Sequence, residues 1–133
     1  MRLIVCIDDN NGMLFNKRRQ SRDEKVIENI ISTIDKDKIF MNEYSGKLFD
    51  SLSDKINVVE APFSEASSSD FVFAENLDLN LAKDIDEIII YKWNRSYPFD
   101  VKFTIDLSEY KKTLEEEFVG KSHEKITKEV YHK

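Results

Sequence analysis

The first apolar run of the chain constrains the fold more than any other feature. Residues 3–7, Leu-Ile-Val-Cys-Ile, are rich in β-branched side chains and end at the turn-forming sequence DDNNG at positions 8–12. This pattern predicts a buried strand that leaves a sheet into a loop. Ser21 and Glu24 then stand in capping-box spacing, before an apolar helical face. We therefore expect a helix from about Arg22 to Ile34, packed against the sheet.

Further strands and one more helix are predicted along the chain. Residues 38–41 indicate a second strand, after which Asn42 can cap a helix that ends near Leu52. Residues 56–60, 71–74 and 85–93 are also strand candidates. The run Ile88-Ile89-Ile90 is typical of a central strand that is covered on both faces.

Two segments near the carboxyl end allow less direct interpretation. Val101, Phe103 and Ile105 alternate with polar residues, which predicts a half-exposed strand paired antiparallel with its predecessor across residues 94–99. Ser122 could cap a short helix, but a final strand fits residues 122–131 nearly as well. The fold class is α/β: a single-layer mixed, mostly parallel sheet flanked by helices, with a C-terminal antiparallel hairpin.

Composition limits the class of protein. With 133 residues, 41% apolar side chains and a net charge of −6, residues 1–133 suit a single domain. No apolar run is long enough to cross a bilayer and no signal sequence is evident, so we expect a cytoplasmic protein that binds no membrane. The acidity argues against extended nucleic-acid binding. One cysteine and two distant histidines predict no metal site.

A basic cluster lies in this acidic chain between the first strand and the first helix. Its members are Lys17, Arg18, Arg19 and Arg22. In an open α/β sheet, ligands bind at the carboxyl ends of strands, where helix N-termini favour anions. The cluster is therefore a candidate site for a phosphate or carboxylate, and a solvated surface turn is the alternative explanation of the same charges.

Asp23 is the candidate catalytic residue. If the crevice exists, Asp23 lies near its mouth and can exchange protons with a ligand, whereas its place in the first helical turn also has a purely structural explanation. Asp8 and Asp9 are better explained by turn chemistry than by a magnesium site. Cys6, in mid-strand, is interpreted as a small core residue.

An aromatic stretch gives a second candidate for ligand contact. Tyr91, Trp93, Arg95, Tyr97 and Phe99 alternate, so an extended backbone would show several rings and a guanidinium on one side. Trp93 and Arg95 are the candidates for binding a planar heterocycle. Packing between two strands is the alternative explanation for the rings.

With these residues in view, the chain resembles a shortened dihydrofolate reductase from Met1 to about Lys112. Residues 3–12 are similar to that family's first strand and following loop. Residues 38–41 and the helix after them are similar to its second strand and cofactor-binding helix, and residues 86–112 to its late hairpin. The resemblance implies that Asp23 is the carboxylate that holds the pterin ring.

The chain departs from that family where the family contacts NADPH. Asn42 and Glu43 replace the family's glycine and arginine after the second strand, and Ser45 retains a hydroxyl at the family's threonine position. The family's paired glycines have no counterpart between Phe71 and Ile90. We therefore predict no cofactor and expect NADPH to bind poorly.

Three functions follow, in order of preference. The first is a domain without NADPH-dependent reductase activity that binds a small anionic or heterocyclic ligand in the crevice after the first strand. The second is an enzyme that uses Asp23, either a reductase with an altered cofactor mode or a phosphate-ester hydrolase. The third is a protein-interaction or homo-oligomeric module, for which a homodimer is the simplest form.

Overall fold

The computed structural model describes residues 1–50 and 52–133, which form two sheets and three α-helices. The helices are α1 (Glu24–Ile34), α2 (Glu43–Phe49) and α3 (Pro62–Glu65), with a 3-10 helix at Leu79–Leu81. The strands are β1 (Arg2–Ile7), β2 (Gly12–Phe15), β3 (Arg18–Arg19), β4 (Ile39–Met41), β5 (Ile56–Val58), β6 (Phe71–Phe73), β7 (Glu87–Lys92), β8 (Val101–Lys102), β9 (Lys111–Phe118) and β10 (Ile126–His132).

The main sheet has seven strands in the order β5-β4-β6-β1-β7-β10-β9. The pairs from β5 to β7 are parallel, whereas β10 is antiparallel to both β7 and β9. Strand β1 lies near the centre, with Ile4 opposite Phe73 on one side and Ile89 on the other. The predicted α/β class with a mixed, mostly parallel sheet is confirmed, and the antiparallel hairpin at the C-terminal end is formed by β9 and β10.

Apolar side chains fill both faces of the main sheet. One face packs against α1 and α2, through residues such as Ile30 and Phe49. Burial of its isoleucines stabilises α1 despite the low helix propensity of β-branched residues. The other face is covered by the small sheet β3-β2-β8 and by the chain after it, including Met13 and Phe103. In the described part of the chain, every helix is too short or too polar to cross a membrane.

The first helix begins differently from the capping-box prediction. The N-cap is Asp23, whose side chain accepts a hydrogen bond from the backbone N–H of Lys25, and the helix starts at Glu24. Ser21 is therefore not the cap, because its hydroxyl lies near His123 instead. Helix α2 ends at Phe49 rather than near Leu52, since Asp50 adopts the left-handed conformation that terminates it.

The predicted pairing of residues 101–106 with the preceding strand is wrong. Strand β8 is short and pairs with β2 in the small sheet. The antiparallel neighbour of β7 is β10, which pairs with it from Thr127 to His132. Of the two alternatives for residues 122–131, the strand is therefore the one that forms, from Ile126 onward. Apolar periodicity does not distinguish strand from helix at β10, because the strand buries charge: Glu129 forms ion pairs with Lys92 and Lys112.

Candidate functional site

A buried aspartate organises the loops at the carboxyl end of β1. The carboxylate of Asp8 accepts backbone N–H groups of Asn10, Gly12 and Tyr97, and the side-chain amide of Gln20. Burial would raise the pKa of Asp8, but these hydrogen bonds outweigh it and lower the pKa. Asp8 thus holds the loop that carries Tyr97 against the end of β1, as its interpretation as a turn residue predicts.

Asp23 is a second buried carboxylate, and both of its oxygens are hydrogen-bonded. Oδ1 accepts the backbone N–H groups of Lys25 and Lys121, each at 2.9 Å. Oδ2 lies 2.9 Å from the backbone nitrogen of Ser122 and 2.9 Å from Nδ1 of His123. Three of these donors come from the connection between β9 and β10. The end of the chain therefore closes over the first turn of α1.

A glycine makes that closure sterically feasible. A Cβ at Gly120 would lie 2.6 Å from Oδ2 of Asp23 and 2.9 Å from the carbonyl oxygen of His123. Any other residue would push the connection between β9 and β10 away from the carboxylate. Gly120 therefore permits the backbone N–H groups that follow it to reach Asp23.

These contacts control the ionisation of Asp23. Burial by itself would raise the pKa of the carboxyl group, because it disfavours the charged form. Hydrogen bonds from Lys121, His123, Ser122 and Lys25 outweigh that effect and hold the pKa well below its usual range. Asp23 is consequently ionised and accepts hydrogen bonds at neutral pH.

His123 extends this network to two hydroxyl groups. Because the ionised Asp23 carboxylate can only accept, Nδ1 of His123 carries a hydrogen, and in the neutral form of the ring Nε2 is then the acceptor. Ser21 Oγ and Tyr97 Oη each lie 3.0 Å from Nε2, and 3.4 Å from each other. The imidazole stacks on Trp93 with ring centroids 4.7 Å apart. We call Ser21, Asp23, Trp93, Tyr97 and His123 the histidine cluster.

A second polar cluster surrounds Glu75, just after β6. Arg19 binds this carboxylate with two N–H groups, at 2.7 and 2.9 Å, and Ser45 Oγ donates to it at 2.8 Å. The Arg19 guanidinium also lies 4.4 Å from the ring centroid of Tyr44, whose hydroxyl accepts the Arg19 backbone N–H. We call Arg19, Tyr44, Ser45 and Glu75 the glutamate cluster.

Cys6 is adjacent to the glutamate cluster but is not an activated thiol. Burial raises its pKa, the Glu75 carboxylate raises it further, and Arg19 only partly offsets them. A thiol in this environment stays protonated and packs as a small apolar side chain. Among residues 1–50 and 52–133, no group of three or more His, Cys, Asp and Glu side chains is arranged to hold a metal ion.

The hairpin of β2 and β3 forms one wall of a surface cavity of about 460 Å³. Its turn consists of Asn16 and Lys17, both with positive φ, as a tight hairpin requires. Phe15 and Arg18 are opposite each other across the hairpin, and Phe15 is 41% exposed. The cavity is lined by Phe15, Asn16, Arg18, Arg19, Gln20, Tyr97 and Pro98.

The structure separates the four predicted basic residues. Arg18 and Arg19 line the cavity, but the Arg19 guanidinium is paired with Glu75. Lys17 is exposed at the hairpin turn, and Arg22 is exposed just before α1. The basic run therefore brings one exposed guanidinium and one paired guanidinium to the same cavity.

The aromatic candidates are separated as well. Trp93 is buried beneath His123, so its ring face is already occupied on that side. Arg95 is exposed on the neighbouring loop, where its carbonyl oxygen accepts the backbone N–H of Asp9. Tyr97 connects the two regions, because it lines the cavity and also contacts His123.

Sequence reasoning missed His123, Glu75 and the role of Ser21. His123 is 100 residues from Asp23 along the chain, and its sequence surroundings match no spacing of a known site. Glu75 follows a strand, as site residues often do in α/β sheets, and that position is the only signal that could have identified it.

Comparison with known proteins supports the fold. No family model matches this sequence, and no curated protein matches it. A solved structure of dihydrofolate reductase from Enterococcus faecalis, complexed with NADP(H) and RAB-propyl, is similar with a TM-score of 0.64. The match covers 98% of this chain and 94% of that one, at 10% sequence identity. The chain therefore has a dihydrofolate-reductase-like fold, as the resemblance predicted.

Proposed function

Given this dihydrofolate-reductase-like fold, we propose that the protein binds a small anionic or heterocyclic ligand in the cavity beside the β2–β3 hairpin. The observation that carries the proposal is the pairing of Phe15 and Arg18 across the hairpin, in a cavity that Tyr97 also lines. Arg18 supplies a planar cation for a carboxylate or phosphate, and the two rings supply apolar surface for a flat molecule. We expect the protein to act in the cytoplasm.

The residues at the cofactor position do not suit NADPH. The Ser45 hydroxyl, which keeps the family's threonine position, donates to the carboxylate of Glu75. Glu43 adds an exposed carboxylate in the first turn of α2. A dinucleotide phosphate would meet the Glu43 carboxylate at one position and, at the other, a hydroxyl and a guanidinium that Glu75 already engages. We therefore propose that the protein does not catalyse NADPH-dependent reduction.

A pterin held by Asp23 is also not part of the proposal. Both carboxylate oxygens of Asp23 already accept hydrogen bonds from the protein, and the side chain is 0% exposed. A ring could reach them only if the connection between β9 and β10 moved away. The ligand we propose lies beside Tyr97 and the hairpin instead.

The test of the ligand site compares two neighbouring cations. Phosphate should raise the Tm of the wild type more than chloride does at equal ionic strength, because ligands that bind the folded state stabilise it. Arg18→Gln should lose this increment. Lys17→Gln is the matched control, since Lys17 is an exposed cation at the turn that does not line the cavity, and it should keep the increment.

Salt exclusion from the protein surface also raises Tm, but it acts on both variants alike. An equal response of wild type, Arg18→Gln and Lys17→Gln to phosphate would contradict the ligand site.

Titration calorimetry with NADPH tests the cofactor proposal separately. We expect no saturable heat at micromolar concentrations of the cofactor. Binding in the low micromolar range would contradict the proposal and support a reductase. Glu75→Gln removes the carboxylate that pairs with Arg19 and so leaves an uncompensated cation there. Any weak NADPH binding should therefore be stronger in that variant than in the wild type.

A further inference from the structure

The histidine cluster forms a continuous hydrogen-bonded chain from a partly exposed hydroxyl to a buried carboxylate. Ser21 Oγ lies 3.0 Å from Nε2 of His123, and Nδ1 of the same ring lies 2.9 Å from Oδ2 of Asp23. A nucleophile within reach of a base, which is itself oriented by a third group, is the arrangement that activates serine. We propose that Ser21, His123 and Asp23 form a hydrolytic centre for carboxylic esters.

Helix capping and loop closure do not account for the imidazole. Capping of α1 requires only the bond from the Lys25 N–H to Asp23, and closure of the loop is achieved by the N–H groups of Lys121 and Ser122. His123 instead directs its second nitrogen away from Asp23, toward two hydroxyl groups. The stacked Trp93 ring fixes the plane of the imidazole.

The exposed fraction of the side chains increases from Asp23 to Ser21, as a nucleophilic centre requires. The side chains of His123 and Asp23 are only 2% and 0% exposed, whereas Ser21 is partly exposed. Water is therefore excluded from the base and its partner, whereas Ser21 lies at the edge of the buried region. Low polarity around the ring strengthens the interaction of Asp23 with the imidazolium that forms during reaction.

The chemistry balances with water as the only co-reactant. Ser21 Oγ attacks the ester carbonyl carbon while its proton passes to Nε2 of His123. The carbon–oxygen bond to the alcohol then breaks, and that oxygen takes the proton from Nε2, which leaves an acyl-serine. Water next attacks the acyl carbon, giving its proton to Nε2, and Ser21 leaves with that proton as the acid is released.

Tyr97 favours acyl transfer over phosphoryl transfer. Its hydroxyl lies 3.4 Å from Ser21 Oγ and can donate to one developing oxyanion beside the attacking oxygen. Phosphoryl transfer spreads charge over three oxygens and is stabilised by cations or metal ions. Asp23 touches no substrate in this scheme and is a positioning residue, because it sets the tautomer of His123.

This inference goes beyond the proposed ligand site and does not depend on it. Tyr97 is common to the two regions, but the reaction uses neither Arg18 nor Arg19. The two proposals can therefore fail separately: loss of the phosphate increment concerns the cavity, and loss of serine reactivity concerns the histidine cluster.

Covalent labelling of the wild type tests the centre without any substitution. A fluorophosphonate probe reacts with an activated serine, forming an oxygen–phosphorus bond and releasing fluoride. We expect one label per folded chain, located at Ser21 by peptide mapping, and none on urea-unfolded protein. The absence of a label on the folded protein, or a label on other serines only, would overturn the inference.

Variants then assign the roles, with p-nitrophenyl acetate as the ester. Ser21→Ala should abolish labelling and lower the hydrolysis rate by about 10²-fold or more. Ser96→Ala, an exposed serine in the same loop as Tyr97, is the control and should retain both. Circular dichroism first establishes that both proteins are folded. Equal rates of ester hydrolysis by folded wild type and folded Ser21→Ala would then overturn the inference.

Two further variants test the supporting groups. Tyr97→Phe should lower kcat by about 10²-fold, the usual effect of losing one oxyanion donor. An unchanged or faster rate would overturn the role of Tyr97.

Asp23→Asn should lower kcat and leave KM nearly unchanged, as a positioning role requires. A change confined to KM would overturn that role.

Discussion

Asp23 and Glu75 are both buried carboxylates, but the protein satisfies them in opposite ways. Asp23 is held mainly by backbone N–H groups, that of Lys25 in α1 and those of Lys121 and Ser122 in the connection between β9 and β10. Glu75 is held by the side chains of Arg19 and Ser45. Backbone donors cannot move without unfolding a loop, whereas side chains can rotate. The histidine cluster is therefore fixed, and the glutamate cluster can exchange partners.

Loss of the Asp23 carboxylate should have the largest effect on stability. Asp23→Ala leaves buried N–H groups and His123 without an acceptor and removes the cap of α1. We expect a loss of about 4 kcal/mol in the free energy of unfolding, from the broken buried pair and the lost cap. Urea denaturation measures it. If Asp23→Ala lost no more free energy of unfolding than Glu75→Ala, the distinction between a fixed and an exchangeable cluster would be wrong.

Glu75→Ala should cost less, because the Arg19 side chain is 21% exposed and can turn toward water. We expect a loss of about 2 kcal/mol, typical of hydrogen bonds to a charged group. The freed Arg19 should also let phosphate raise Tm more in this variant than in the wild type. Glu65→Ala, at an exposed glutamate of α3, is the control and should show neither change.

Asp23 should contribute to the pH dependence of stability. Its pKa is lower in the folded state than in the unfolded chain, so its ionisation stabilises the fold above the unfolded value, near pH 4. That contribution is lost as pH falls below this value. The stability difference between wild type and Asp23→Asn should therefore shrink by on the order of 1 kcal/mol toward pH 2.

Thermal unfolding at several pH values measures this difference. Asp54→Asn, at an exposed aspartate, is the control variant and should differ from the wild type equally at every pH. A difference between wild type and Asp23→Asn that stays constant from pH 7 to 2 would show that the hydrogen bonds do not favour ionised Asp23 in the fold.

Ser21→Ala should have the smallest effect on stability, below about 0.5 kcal/mol, as for other substitutions of partly exposed residues. Asp23 caps the helix, and Nε2 of His123 keeps Tyr97 as a partner. A urea midpoint shifted by an amount equivalent to about 1 kcal/mol would instead match the loss of an N-cap. Together with the labelling experiment, this result separates a reactive from a structural role for Ser21.

The sequence predicted those parts of the fold whose pattern is local. The first strand, the isoleucine face of α1 and the run at Ile88-Ile89-Ile90 were correctly interpreted, because burial imposes a period that neighbouring residues reveal. Strand β10 shows no such period, because its buried Glu129 is stabilised by Lys92 and Lys112, which lie elsewhere in the chain. Ion pairing of this kind leaves no periodic pattern.

For the candidate sites, the sequence by itself determined which groups are available: the basic residues after β1, the acid at the start of α1 and a hydroxyl in α2. Only the tertiary structure decided their partners. It brought His123 to Asp23 and Ser21 across about a hundred residues, and Glu75 to Arg19 and Ser45. The physical reason is that hydrogen bonds and charge pairs depend on distances of about 3 Å in space, which separation along the chain does not encode.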